Sequence, residues 1–224
     1  IYSSLAGEVE SAQASAQVAI EAARELGQPS ALALALYAKG MTLLSVDPVA
    51  AQTALDQSIE LTESGASDVV YANCLAALVT IFEHEGQIHD SVVTARRSIA
   101  YSDLIGDRPP VVGTLHAAGR LLSFLNDTEG VATLGGALYE GWFGPMTQIV
   151  VEDVRTTSDL IEASRSSLGE DRFDNAWRRG GSMSYEEIIA FVLQHLDSAI
   201  ELFDTGDAQN SMDRDEETAV WSAG

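Results

Sequence analysis

Two histidines, His84 and His89, stand five residues apart among Glu83, Glu85 and Asp90, forming the one local cluster of metal-capable side chains in this sequence. A zinc site needs a further ligand in tetrahedral geometry. The pair straddles Gly86 at what reads as a helix–helix turn, so a solvated turn accounts for these residues without a metal. Cys74 is the single cysteine. No histidine lies within one helical turn of it, and its helical neighbours Ala77 and Leu78 place it in a core, not in a nucleophilic pair. His116 and Arg120 are one turn apart and can share a face. Arg120 is a rare positive charge on an acidic chain: it suits an acidic peptide or small anion, or an ordinary pairing with a nearby acid. No GxxxxGK[ST] loop, G-x-S-x-G or HExxH occurs, and Lys39 before Gly40 falls in mid-helix, so there is no phosphate cradle or metalloprotease helix. No catalytic residue, metal or cofactor is assigned, and the segment is not expected to be an enzyme.

The elements that position these residues repeat. Ile20, Ile59 and Ile99 are 39 and 40 residues apart; Ala12, Ala51, Ser91 and Val131 keep the same step, as do Gly40, Val79 and Gly119. A period near 40 with helical patterning means stacked helix pairs, each burying its apolar face only against its neighbours.

Local signals set the helix bounds. Residues 1–7 read as the tail of a helix whose start is missing. Glu8–Leu26 is alanine-rich, with Val9, Ala12, Ala16, Ala19, Ile20 and Ala23 at helical spacing, and Gly27 and Pro29 end it. Ser30–Ser45 follows, with Leu32, Ala35, Leu36 and Leu43 inward. Asp47-Pro48 starts the next helix, through Ser64, because Asp caps and proline suits the first turn. Ser67–Glu85, Ile88–Ile105, Pro109–Leu125 and Glu129–Glu140 complete the array. Gly40 and Gly119, in mid-helix, cost about 1 kcal/mol relative to alanine, which close approach of a stacked neighbour explains. Gly141-Trp142-Phe143-Gly144-Pro145 is an apolar loop, Ile149–Leu168 a further helix, and Phe173, Ala176 and Trp177 share one face of a short helix. Ser184 with Glu187 is a capping box that starts a helix running to Leu202. Trp142 and Trp177 are expected to pack the C-terminal helices against the last repeat. From 203 to 224 the chain is acidic and polar, a composition that is usually solvated.

Composition narrows the function. Of 224 residues 46% are hydrophobic, enough for a core; 34 acidic against 12 basic residues give a net charge of −22. Such a chain repels phosphate backbones and anionic membranes, so neither nucleic acid nor a membrane is an expected partner. No apolar stretch approaches the ~20 residues of a transmembrane helix, no signal peptide is visible, and one cysteine allows no internal disulfide, all in keeping with a cytoplasmic protein.

The pattern resembles the tetratricopeptide repeat over residues 1–140. Gly40 matches the small residue of helix A, Gly86 the A–B turn, Ala51 the small residue of helix B, and Ala12 with Gly7 before it repeats that relation. It departs in its period, ~34 residues in the family, and in Ser91 and Val131 at the helix-B small position. The segment Leu168, Gly169, Glu170, Phe173, Ala176, Trp177, Gly180, then Glu186, Glu187 and Leu193, is similar to the segment that closes the repeats of large actinobacterial STAND-type regulators. The resemblance implies an all-α, TPR-like superhelix: a right-handed arc of helix pairs over 1–141 with its first helix truncated, a helical cap over 142–202, and the acidic tail. It implies A helices lining a concave face, which by register places Tyr37, Met41, Asn73, Thr80, Glu83, His116 and Arg120 near it. It implies an upstream ATPase module, with an adenylate-cyclase-like or LuxR-type output domain elsewhere in such proteins; no helix-turn-helix follows the cap here. The function so implied is a non-catalytic interaction and sensor domain of a signalling or transcriptional regulator. Its partner would be a protein or peptide, including the parent's own ATPase module. A small-molecule inducer, or a second copy of the chain in a homodimer or oligomeric scaffold, are the other readings.

Overall fold

The computed structural model describes residues 2–63, 65–143 and 153–206, and among these every regular element is a helix. They are α1 (Tyr2–Glu25), α2 (Pro29–Leu43), α3 (Pro48–Glu63), α4 (Asp68–His84), α5 (Ile88–Ile105), α6 (Pro109–Phe124), α7 (Thr128–Tyr139), α8 (Asp153–Leu168), α9 (Glu170–Gly181) and α10 (Tyr185–Asp204). No described helix is long and apolar enough to cross a membrane.

The starts and stops follow from side-chain chemistry. Asp47 accepts from the Ala50 N–H at 3.0 Å ahead of Pro48, and Ser67 caps α4 at Val70. Asp127 caps α7, accepting from Gly130 N–H at 2.8 Å. Ser184 and Glu187 form a reciprocal box at α10, with bonds of 3.2 and 2.8 Å. Each satisfies backbone groups that a helix end leaves orphaned. Gly86, at φ 71°, lets the backbone turn from α4 into α5.

Consecutive helices pack in neighbouring pairs, α1 on α2, α2 on α3 and onward to α6 on α7. Alternate helices touch as well: α2 meets α4, α4 meets α6, and α6 meets α8. The repeat positions behave alike. Ala51, Ser91 and Val131 are buried, as are Ser58 and Ser98. The hydroxyls are accommodated because each has a partner: Ser58 donates to Ala33 O at 2.8 Å, and Ser91 to Val79 O at 3.1 Å.

Three features differ from the sequence reading and a fourth goes beyond it. α1 runs straight through Gly7, so that residue makes no A–B turn. Ala12 and Ala19, equivalent to buried positions later on, are exposed, since α1 packs mainly on α2 and, among its described side chains, buries the Ala16, Ile20 and Ala23 stripe. A Cβ on Gly119 would meet nothing closer than Leu134 Cδ2 at 3.8 Å, so close approach does not explain it; Gly40 is a true close contact, with Leu55 Cγ at 2.7 Å. Finally, α10 does not extend the stack. It turns back along α5, burying Ile188, Val192 and Leu196 in a core shared by α5, α6 and α7. Arg96 of α5 pairs with Asp197, and His195 with Asp127 at 2.7 Å. The expected Gly144-Pro145 turn, the 149–152 start of α8 and the acidic tail beyond 206 lie outside the described residues.

Candidate functional site

Three helices present stripes to one side of the array. On α2 and just beyond it they are Tyr37, Met41, Leu44 and Ser45; on α4, Asn73, Ala77, Thr80 and His84, with Ala76 and Glu83 beside them; on α6, Arg120, Ser123 and Phe124. The spacings are three and four residues, one face of each helix. Together with Leu160 of α8 these residues line a half-open cavity of about 820 Å³. It forms because α2 and α6 flank α4 while Ala76 and Ala77 keep α4's exposed surface shallow.

Six of the seven residues placed on the concave face by register meet here: Tyr37, Met41, Asn73, Thr80, Glu83 and Arg120. His116 does not. It is fully buried in α6, its ring edge-on to Tyr139 at 6.4 Å. α6 is covered by α4, α5, α7, α8 and α10, so a step of one turn from Arg120 carries a side chain from the cavity into the core. His84, Phe124, Leu160, Leu44, Ser45, Ala76, Ala77 and Ser123 line the cavity without having been singled out for it. His84 and Phe124 share the spacing of the assigned residues and could have been found from register; Leu160 could not, since only the packing of α8 on α6 brings it in.

Arg120 meets Glu83 through a two-pronged pair linking α6 to α4, with Nη2 donating to Oε2 at 2.9 Å and Nε to Oε1. Their side chains are only 12% and 8% exposed. This is the pairing with a nearby acid left open above, in its most constrained form. Burial, with Cys74 nearby, pushes the Tyr37 phenol above its ordinary 10, so it stays protonated as a hydrogen-bonding group. Cys74 lies behind the wall, fully buried, donating to Ser58 Oγ at 3.3 Å. Burial outweighs that hydrogen bond and pushes its thiol up to about 11, which leaves almost no thiolate at neutral pH.

The histidine pair separates. His84 faces the cavity, while His89 packs edge-on to Phe203 and faces Asp90 and Asp204, each at 3.8 Å. Among the described residues no three His, Cys, Asp or Glu side chains gather as a metal site. Trp177 stacks against Tyr139 and Phe173, at 6.2 and 5.4 Å, joining α7 to α9. Trp142 lies beside Tyr185 at 5.1 Å, and Arg108 covers both rings at 4.7 and 4.9 Å.

No family model matches this chain, and no curated protein or solved structure matches it either.

Proposed function

We propose that this chain is a non-catalytic binding and sensor domain whose recognition site is the cavity between α2, α4, α6 and α8. The observation that carries the reading is the convergence of stripes from alternate helices on one cavity of about 820 Å³. That size is usual for a ligand site, and the lining is as usual: mostly apolar, with a few polar groups to set orientation. Cys74, behind its wall, is buried and protonated. A cavity-filling variant, Thr80→Trp, tests the assignment. Ligands that raise the melting temperature of the parent chain should lose that effect in the variant; equal stabilisation of both would overturn it.

The resemblance of residues 168–193 to the closing segment of STAND-type regulators supports a wider role. In it, the domain holds or releases an ATPase module according to what fills the cavity, within a cytoplasmic signalling or transcriptional regulator of the cyclase-like or LuxR type. The gene itself tests this: a coding sequence with no nucleotide-binding module would overturn the regulator role and leave the binding site standing. The volume of the cavity suits a small-molecule inducer, while its open side also admits a peptide. An oligomeric scaffold built on α1 is the competing reading. It draws support from α1 packing mainly on α2, with Leu26 just beyond its end 70% exposed, and a monomer by light scattering at high concentration would remove it.

A further inference from the structure

An arginine in a binding cavity invites an anion, but the setting of Arg120 argues the other way. Its guanidinium is already held at two points by Glu83, across two helices, with both side chains nearly covered. A carboxylate or phosphate that took Arg120 would displace Glu83 and leave a nearly buried carboxylate without its counter-ion, a strongly unfavourable state. The whole-chain charge of −22 adds a field that depletes anions at the surface and concentrates cations. The rest of the lining suits a cation with an apolar body. Tyr37 and Phe124 bring aromatic rings from α2 and α6; Phe124 is half exposed and Met41 43% exposed. Aromatic faces attract ammonium groups, and Met41, Leu44 and Leu160 offer an apolar bed for a carbon skeleton.

Resting on the assignment of this cavity as the binding site, we propose that its ligand is a small organic cation: an amine on an aromatic or aliphatic skeleton. Anions are excluded from it by the Glu83–Arg120 pair. Asn73, Thr80 and Ser123 are then the hydrogen-bonding groups that orient the ligand.

Three probes with one skeleton and different heads separate this idea from the assignment beneath it: 4-phenylbutylamine, 4-phenylbutanol and 4-phenylbutyrate. Each is titrated into the 224-residue chain at neutral pH and low salt, reading the Met41 methyl and Phe124 ring by NMR. The amine should bind tightest and the acid weakest, by on the order of tenfold between them. Phe124→Ala should weaken the amine at least several-fold, and Glu83→Gln, checked for folding by circular dichroism, should improve the acid relative to the amine. If the alcohol or acid equals the amine at the same resonances, the charge preference is wrong and the binding site survives. An amine whose binding ignores Phe124→Ala is held by the acidic surface, which overturns the proposal. If no probe moves either resonance, the cavity assignment falls with it.

Discussion

The α2–α3 contact and the α7–α9 contact are both close crossings built on glycine, yet they are built differently. A Cβ on Gly40 of α2 would strike the Leu55 side chain, at 2.7 Å from Cγ and 2.8 Å from Cδ2, with the Ala51 carbonyl oxygen at 3.3 Å. A Cβ on Gly136 of α7 would lie 2.0 Å from the Trp177 carbonyl oxygen, and one on Gly180 of α9 would lie 1.7 Å from that of Thr133. A side chain can swing aside; a helical carbonyl moves only with its helix. Polar bonds add to the second contact: Arg179 donates to Thr133 Oγ1 at 2.7 Å and pairs with Glu129 at 3.2 Å. Within the array that carries the cavity, the α2–α3 crossing is therefore met by side-chain packing. The end that closes it is locked backbone to backbone. The proposed sensor role would use this division, with a binding surface that adapts and a fixed end against which the change is read.

The largest effects should come from that lock. Gly180→Ala and Gly136→Ala are each expected to cost more than about 3 kcal/mol, because overpacking against backbone cannot relax locally. Gly40→Ala should cost about 1–2 kcal/mol, with Leu55 shifting to make room. Gly113→Ala, with nothing within 4 Å, should instead gain up to about 1 kcal/mol from helix propensity. Urea denaturation of the four variants gives the order directly. If Gly180→Ala proves as mild as Gly40→Ala, the two contacts are not different in kind.

Next in size is the ion pair inside the array. Arg120→Met leaves Glu83 almost covered and without its two-point partner, at an expected cost of about 2–4 kcal/mol. Adding Glu83→Leu should recover much of that, since two apolar groups need no compensation. A double-mutant cycle measures the coupling. A coupling near zero would mean that the pair does not fix α4 to α6.

Helix order and bounds were legible because they are written in local chemistry. Ser184 and Glu187, Asp47 and Pro48, and the glycines after α1, α3, α4 and α5 act within one turn of themselves. The cavity was legible where helices keep one polar face: Tyr37 and Met41 on α2, and Asn73, Thr80 and Glu83 on α4, follow the spacing of a single stripe. That logic failed at His116 because α6 packs against five other helices and opens to the cavity only toward its end, at Arg120, Ser123 and Phe124; periodicity labels a face but not the point along a helix where that face becomes covered. The break expected at Gly7 failed for the opposite reason. Glycine costs a helix only about 1 kcal/mol, and α1 runs on through it. The Gly136–Gly180 crossing and the return of α10 along α5 join residues 41 or more positions apart through helices outside the repeat register, which the period does not label.

A smaller effect belongs to the clasp between α10 and the α6–α7 turn. Burial would raise the Asp127 carboxyl, but the hydrogen bond with His195, the Gly130 N–H and the nearby Arg179 outweigh it and hold the group below its ordinary 3.8. A carboxyl lowered on folding contributes stability that is complete above the unfolded value and is lost as pH falls through the folded one. Asp127→Asn keeps the cap but not the charge, and should cost about 1–2 kcal/mol at pH 6. Its deficit should shrink as the pH is taken below 3.8, where the parent loses the same contribution. A deficit that stays constant on acidification would mean that the charge is not what holds the clasp.

The smallest expected effect tests the repeat at the level of atoms. Cys74 and Ser58, 3.3 Å apart, stand 40 positions before Thr114 and Ser98, whose hydroxyls are 3.1 Å apart. Each pair joins a B helix to the next A helix, α3 to α4 and α5 to α6, through one buried hydrogen bond. Thr114 also donates to Pro110 O, four residues back, and a threonine at 74 would have the Val70 carbonyl at the same offset. Cys74→Thr should therefore change stability by less than about 1 kcal/mol, whereas the isosteric Cys74→Val should cost about 1 kcal/mol more by removing the bond. If threonine is no better than valine, the two pairs are alike in position only. Packing of small side chains, and not the buried hydrogen bond, would then be what passes from one repeat to the next.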